Sequence, residues 1–241
     1  SLFLKPFYLF SALKTIFTVS KSFNTSLFLS FASPYASLTA YALRKPHLVF
    51  DDTEGDPLVQ SVNKSLATKI VTPVSFQQKL GNKHLIVNAF KEQAYLKDYT
   101  CFPEAGNYIL VRLVNHGAMH DLFSKVWHEQ NKFDFIRELA QNYSLLISSE
   151  VPLPVDLKPF EYSGPPEKLH NTIARAKMMV GESATVAAEA AILGVPAVFI
   201  DYTTRGYLKG LEDKYELVKT LKPTKEQLPE ILNHIQQVMT H

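Results

Sequence analysis

The residues from Gly181 to Asp201, GESATVAAEAAILGVPAVFID, have the types and order to hold an anion. Ser183 is a strong helix N-cap, and Ala184, Thr185, Val186, Ala187 and Ala188 follow as the first turns of a helix. A helix that opens from a tight turn presents unpaired backbone N–H groups and the positive end of its dipole. That is a seat for a phosphate or diphosphate. Gly194 ends the helix where left-handed backbone is needed, and Pro196 prevents its continuation. Thr185 and Glu189 share one helix face. A carboxylate one turn behind a diphosphate is placed to hold ribose hydroxyls. The same string also reads as a packing helix whose alanines let it lie close to a sheet. Both readings demand strand, turn, helix and strand in that order.

Two further groups have chemical potential. Asp51, Asp52 and Glu54 close the apolar run HLVFDDTE. Clustered carboxylates raise one another's pKa, which suits general acid or base work. The alternative is a cap, with Asp52 or Thr53 starting the next helix. Arg112 interrupts the apolar run YILVRLV, where an unpaired charge is costly. Facing a cleft, it can grip a diphosphate with two N–H groups. His116, His120 and Asp121 follow. His120 beside Asp121 is a candidate acid or base, and His116 reads as a solvated loop residue.

The elements that must position these groups alternate along the chain. SLFLSFAS (26–33), HLVFDDTE (47–54), ATKIVTPVSF (67–76) and KHLIVNAFK (83–91) read as strands, with a small-residue helix around Pro34–Leu43. A polar loop, DYTCFPEAGN, marks a boundary near residue 100. Strands YILVRLV, YSLLISSE, KMMVGES and AVFID then alternate with helices KFDFIRELAQN and EKLHNTIARA. A C-terminal amphipathic helix, KEQLPEILNHIQQVM, carries Pro229 as an early break. This rhythm predicts parallel sheets with crossover helices. No internal repeat is visible. The first half has few strands for a nucleotide-binding half, so one or two βα units of roughly 30 residues are expected before Ser1.

Composition excludes several classes. The 241 residues carry 25 basic and 23 acidic side chains, a net charge of +2, so no nucleic-acid partner is expected. The single cysteine, Cys101, allows no intrachain disulfide and predicts a reducing, cytoplasmic setting. Sequons at Asn24, Asn63 and Asn142 therefore read as chance. The opening SLFLKPFYLFSALKTIFTVSKSF is broken by Lys5, Pro6, Lys14 and Lys21, too often to span a bilayer. It reads as an amphipathic helix of the fold, or as a surface resting on the inner face of a membrane. No metal spacing appears beyond the loose His116 and His120 pair, so no metal or other cofactor is expected. There is no P-loop, GxGxxG or GxSxG, which disfavours a P-loop kinase or a dinucleotide dehydrogenase.

Six ordered motifs are together specific: HLVFDDTE, IVTP, LGNKHLIVNAFKEQAYL, ILVRLVNHGAMHD, LLISSE and GESATVAAEAAILGVPA. They resemble the prokaryotic DUF354 family from about His47 to the C-terminus. That family looks like the GT-B superfamily of UDP-N-acetylglucosamine 2-epimerases and MurG-type glycosyltransferases. The resemblance implies an α/β fold of two Rossmann-like domains facing across a cleft. The truncated N-terminal domain (1–100) would be the acceptor side, and 101–241 the nucleotide-sugar side.

The resemblance also implies roles. Gly181, Glu182, Ser183, Ala184 and Thr185 fall on the turn that holds the diphosphate, and Glu189 on the ribose carboxylate. GT-B relatives often carry Ser-Gly-Gly or Ser-Gly-Ala here. Ala184 in place of glycine restricts close backbone approach, and the Thr185 hydroxyl is a substitute donor. Arg112 and His120 correspond to the arginine and histidine at the strand end that serves the epimerase active site, and Asp121 stands beside His120. Asp52 and Glu54 lie where an epimerase acid lies. Ser148, Ser149 and Glu150 are candidates for a base or sugar pocket, or caps of a turn, and His170 for the base. The implied ligand is a nucleotide diphosphate sugar and the implied activity glycosyl transfer to an unknown acceptor. The alternatives are a 2-epimerase and a binding protein without turnover.

Overall fold

The apolar runs pair in parallel, in two separate sheets. The computed structural model describes residues 5–54, 57–97, 99, 106–115 and 127–240. The chain divides into two compact units, Ser1–Lys91 and Glu92–His241. The loop expected as the boundary lies just beyond this division. Residues 92–97 go with the second unit because Tyr95 hydrogen-bonds Glu189 there.

The first unit runs α1 (Lys5–Ser22), β1 (Phe28–Phe31), α2 (Pro34–Ala42), β2 (His47–Phe50), α3 (Pro57–Leu66), β3 (Lys69–Pro73) and β4 (His84–Val87). Its sheet has the order β1-β2-β3-β4, every pair parallel. Val49, Ala67, Ile70, Phe76 and Leu80 form its core. Helix α1 packs on α2. Phe10 and Val19, and Phe23 just beyond α1, nevertheless remain largely exposed. Among the described residues no helix is long and apolar enough to cross a membrane.

A buried polar chain ties α2 and α3 to this sheet. His47 stands between Ser30 (Nε2 to Oγ, 2.8 Å) and Ser37 (Nδ1 to Oγ, 3.1 Å). Ser37 gives its own proton to Asn63 Oδ1 at 2.7 Å. Its oxygen must therefore accept from Nδ1–H, which fixes the neutral tautomer. Asn63, one of the three sequon asparagines, is buried in this network.

The second unit runs α4 (Gln93–Leu96), β5 (Ile109–Leu113), α5 (Glu129–Asn142), β6 (Leu145–Ser149), α6 (Leu169–Arg175), β7 (Met178–Gly181), α7 (Ala184–Ile192), β8 (Ala197–Ile200), α8 (Gly206–Tyr215), β9 (Val218–Leu221) and α9 (Leu228–Thr240). The sheet order is β6-β5-β7-β8-β9, again all parallel. Its core joins β5, β6, β7 and β8 to α5 and α9 through Val111, Leu113, Ile136, Leu139, Ile147, Met178, Val198, Ile231 and Ile235. Pro229 does not break α9: it is the second residue of the helix, where its missing N–H is not needed.

The structure also corrects the expectation of no internal repeat. β1–α2–β2 and β7–α7–β8 are the same device at one constant offset in the chain. Ser33 and Ser183 each cap a nine-residue helix through a side chain 3.3 Å from the third backbone N–H onward. Arg44 (φ 53°) and Gly194 (φ 81°) each take left-handed backbone at the helix end. Pro46 and Pro196 then lead into the next strand, and Asp51 and Asp201 end it with an Asx turn to Thr53 and Thr203. Side-chain identity is too sparse between these anchors for the repeat to stand out in the letters.

Candidate functional site

The second sheet reverses its winding at β5. The chain moves from β5 to β6 on one side, then returns to lay β7 on the other. In open parallel sheets, ligands bind beyond the carboxyl ends of the strands at such a switch point. Arg112 and Gly181 are register partners across this junction, and Ser148 pairs with Arg112 on the other side. The expected residues Arg112, Ser149, Glu150, Gly181, Glu182 and Ser183 therefore share one sheet edge.

The turn after β7 is held against β5. A Cβ on Gly181 would stand 2.8 Å from the carbonyl carbon of Arg112 and closer still to its oxygen. Only glycine fits. The Glu182 N–H donates to that same Arg112 carbonyl at 3.0 Å. Ser183 then caps α7, accepting from Val186 N–H at 3.3 Å. The N–H groups of Ala184 and Thr185 are left without an intrahelical partner. Thr185 is exposed and Ala184 half-buried.

Glu182 does not turn its carboxylate outward. It forms a buried ion pair with Lys132 of α5 at 2.8 Å, with side-chain exposures of 1% and 4%. Val114 N–H also reaches it at 3.4 Å. Its part is to clamp the turn to β5 and α5. Lys132 was not foreseen, although its spacing to Ile136 sets it on the apolar face of α5.

Arg112 is only 17% exposed. Its Nη1 donates to Ser148 Oγ at 2.9 Å, and Nη2 is paired with Glu150. Its Nε is buried and takes no hydrogen-bond partner among the described residues. Glu150 also accepts from Asn115 N–H at 3.1 Å. The guanidinium is thus aligned by Ser148 and paired with a half-exposed carboxylate. Ser149 caps a turn instead: Val151 N–H donates to its Oγ at 3.1 Å, and the hydroxyl donates to Val151 O at 2.6 Å. Beyond β8, Arg205 donates to Thr203 Oγ1 at 2.9 Å, adding a second cation on the same edge that sequence reasoning missed.

Glu189 and His170 do come together, and Tyr95 joins them. Tyr95 OH donates to Glu189 Oε1 at 2.8 Å, and His170 Nε2 lies 3.3 Å from the same oxygen. The His170 ring contacts both Tyr95 (centroids 5.7 Å) and Tyr99 (5.4 Å, near-perpendicular). Neither tyrosine was expected in the site.

The first unit's acids lie at the end of β2. Asp52 is buried and paired with Lys91 at 2.7 Å. Glu54 accepts from Gln77 N–H at 2.8 Å and so anchors a loop. Asp51 is also buried. Burial pushes its pKa up, and the charges of Asp52 and Glu54 add to the effect, against the lowering Thr53 N–H bond. Cys101, His116, His120 and Asp121 lie outside the described residues. Among the described residues no three His, Cys, Asp or Glu side chains are grouped to hold a metal ion.

No protein-family model matches the chain, and no curated protein matches it significantly. Solved structures do match. Staphylococcus aureus MnaA, solved with UDP, is 12% identical over 96% of this chain and 73% of its own, with a TM-score of 0.65. The Methanocaldococcus jannaschii UDP-GlcNAc 2-epimerase, solved with UDP-GlcNAc and UDP, is 12% identical over 94% and 73%, with a TM-score of 0.63. Acinetobacter baumannii MurG is 14% identical over 98% and 72%, with a TM-score of 0.57. At such identity the likeness carries the fold alone: the chain has the two Rossmann-like units of the GT-B type.

Proposed function

We propose that this chain binds a nucleotide diphosphate sugar on its second unit and serves glycosyl transfer in cell-surface glycan synthesis. One observation carries the reading. Arg112 and the open N-terminus of α7 meet at the β5–β7 switch point, where a parallel sheet binds its ligand. In glycosyl transfer the bond from sugar to diphosphate breaks and negative charge builds on the leaving diphosphate. Arg112 and the N–H groups of Ala184 and Thr185 would stabilise it, and Glu189 would hold the ribose. Asp52 or Glu54 of the first unit, or His120, would take the acceptor's proton. Asp51, held above the usual carboxylate range, is a further acid or base. The six sequence motifs support membership of the DUF354 family. The exposed Phe10, Val19 and Phe23, near Lys14 and Lys21, support contact with a membrane surface.

A second reading is a UDP-sugar 2-epimerase, favoured by the matching fold of the M. jannaschii enzyme. It would use the same cradle and the same acids for proton abstraction. Titration of the protein and a Glu189→Ala variant with UDP, UDP-GlcNAc, GDP and dTDP tests what the readings share. Saturable binding of one nucleotide, lost in the variant, supports it. No binding to the folded protein overturns it. Turnover of the bound sugar nucleotide, with and without acceptors, then separates transfer from epimerisation and from silent binding.

A further inference from the structure

We infer that Tyr95 is a positioning residue: it locks the Glu189 carboxylate so that the site prefers ribonucleotides to 2′-deoxyribonucleotides. The inference rests on the nucleotide site proposed above and adds the group that sets its selectivity. Glu189 is buried in α7, one turn behind the open N–H groups of Ala184 and Thr185. Its two oxygens are unequal. Oε1 accepts the Tyr95 hydroxyl at 2.8 Å and faces His170 Nε2 at 3.3 Å. A carboxylate only accepts, so Nε2 carries a proton and donates. No hydrogen bond reaches Oε2 from the described residues.

Two donors on one oxygen fix the plane of the carboxylate and therefore the position of the other oxygen. A buried acceptor fixed in this way favours a ligand that brings a hydroxyl to it. A carboxylate free to rotate would turn to water when the hydroxyl is missing and discriminate less. The Tyr95 ring also packs on His170, which Tyr99 contacts as well. The phenol is thus itself held in place. Tyr95→Phe removes the donor and keeps the ring packing.

The test is calorimetric titration of the wild-type protein and Tyr95→Phe with UDP and 2′-deoxy-UDP, alongside melting curves. The wild type is expected to prefer UDP by about tenfold or more, the range for a hydrogen bond to a charged group. In Tyr95→Phe the preference shrinks to about threefold or less, through weaker UDP binding, while the melting curve stays put. An unchanged ratio in the variant overturns the inference. Equal wild-type affinity for both nucleotides also overturns it and leaves the nucleotide site standing. No wild-type binding of either nucleotide removes the proposed function itself.

Discussion

Gly181 lies so close to Arg112 that a Cβ on it would enter the Arg112 carbonyl group. The same carbonyl accepts the Glu182 N–H, so the turn that opens α7 is built on the backbone of the strand that carries the guanidinium. Gly181→Ala must push β7 from β5. It is expected to destabilise the second unit by about 3 kcal/mol, the upper part of the usual range for overpacking. Denaturant unfolding measures this, and nucleotide affinity should fall with it.

Arg112 is held ready by Ser148 and Glu150. Arg112→Ala is expected to weaken nucleoside diphosphate binding by about tenfold to a hundredfold, the loss of a charge-assisted bond. Arg112→Lys should recover little, because an ammonium cannot reproduce the fork that meets both Ser148 and an anion. Equal affinity for the alanine variant and wild type would remove Arg112 from the site.

The Lys132–Glu182 pair is buried, so each charge depends on the other. Lys132→Met leaves a buried carboxylate without its cation and is expected to cost about 3–5 kcal/mol. Lys132→Met combined with Glu182→Leu should restore much of that loss, as apolar replacement of whole buried pairs does. Thermal unfolding of the two single variants and the double variant checks the coupling.

His47 makes the first unit sensitive to acid. Burial lowers its pKa below the ordinary histidine value. Around it stand Ser30 of β1, Ser37 of α2 with Asn63 of α3 behind it, and the edge of Phe28. The fold thus favours the neutral ring, and unfolding takes up a proton. This contribution is full above about pH 6.5 and is lost as pH falls through the lowered folded value. His84 shifts in the same direction through burial. His47→Gln should flatten part of the stability loss as pH falls below about 6.5, read from melting curves at descending pH.

The legible parts of the chain were those with local causes. Ser183, Gly194 and Pro196 mark a cap, a left-handed stop and a breaker within one segment, and α7 lies between them. The apolar runs at Leu48, Leu110 and Val198 appear as strands for the same reason. Four of the elements were not foreseen: α3, α8, β9 and the four-residue α4. Gly206 and Gly210 weaken α8 and β9 is four residues long, whereas α3 opens on Pro57, a start signal that the reading of the letters passed over. The candidate site, itself a proposal, was half legible. Arg112 in an apolar strand and Glu189 behind a cap are visible in the letters. Tyr95, Tyr99 and Lys132 are not, because tertiary packing alone brings each to its partner. The fates of Glu182 and Ser149 depended in the same way on which direction a side chain turned at a strand end.

The proposed seat of the nucleoside diphosphate is the β5–β7 switch point. Backbone amide shift mapping during a UDP titration locates it. Saturable shifts are expected at Gly181, Ser183, Ala184, Thr185 and Arg112, with Glu189 following. Saturable shifts confined to other parts of the chain, or no shifts at millimolar UDP, would contradict it.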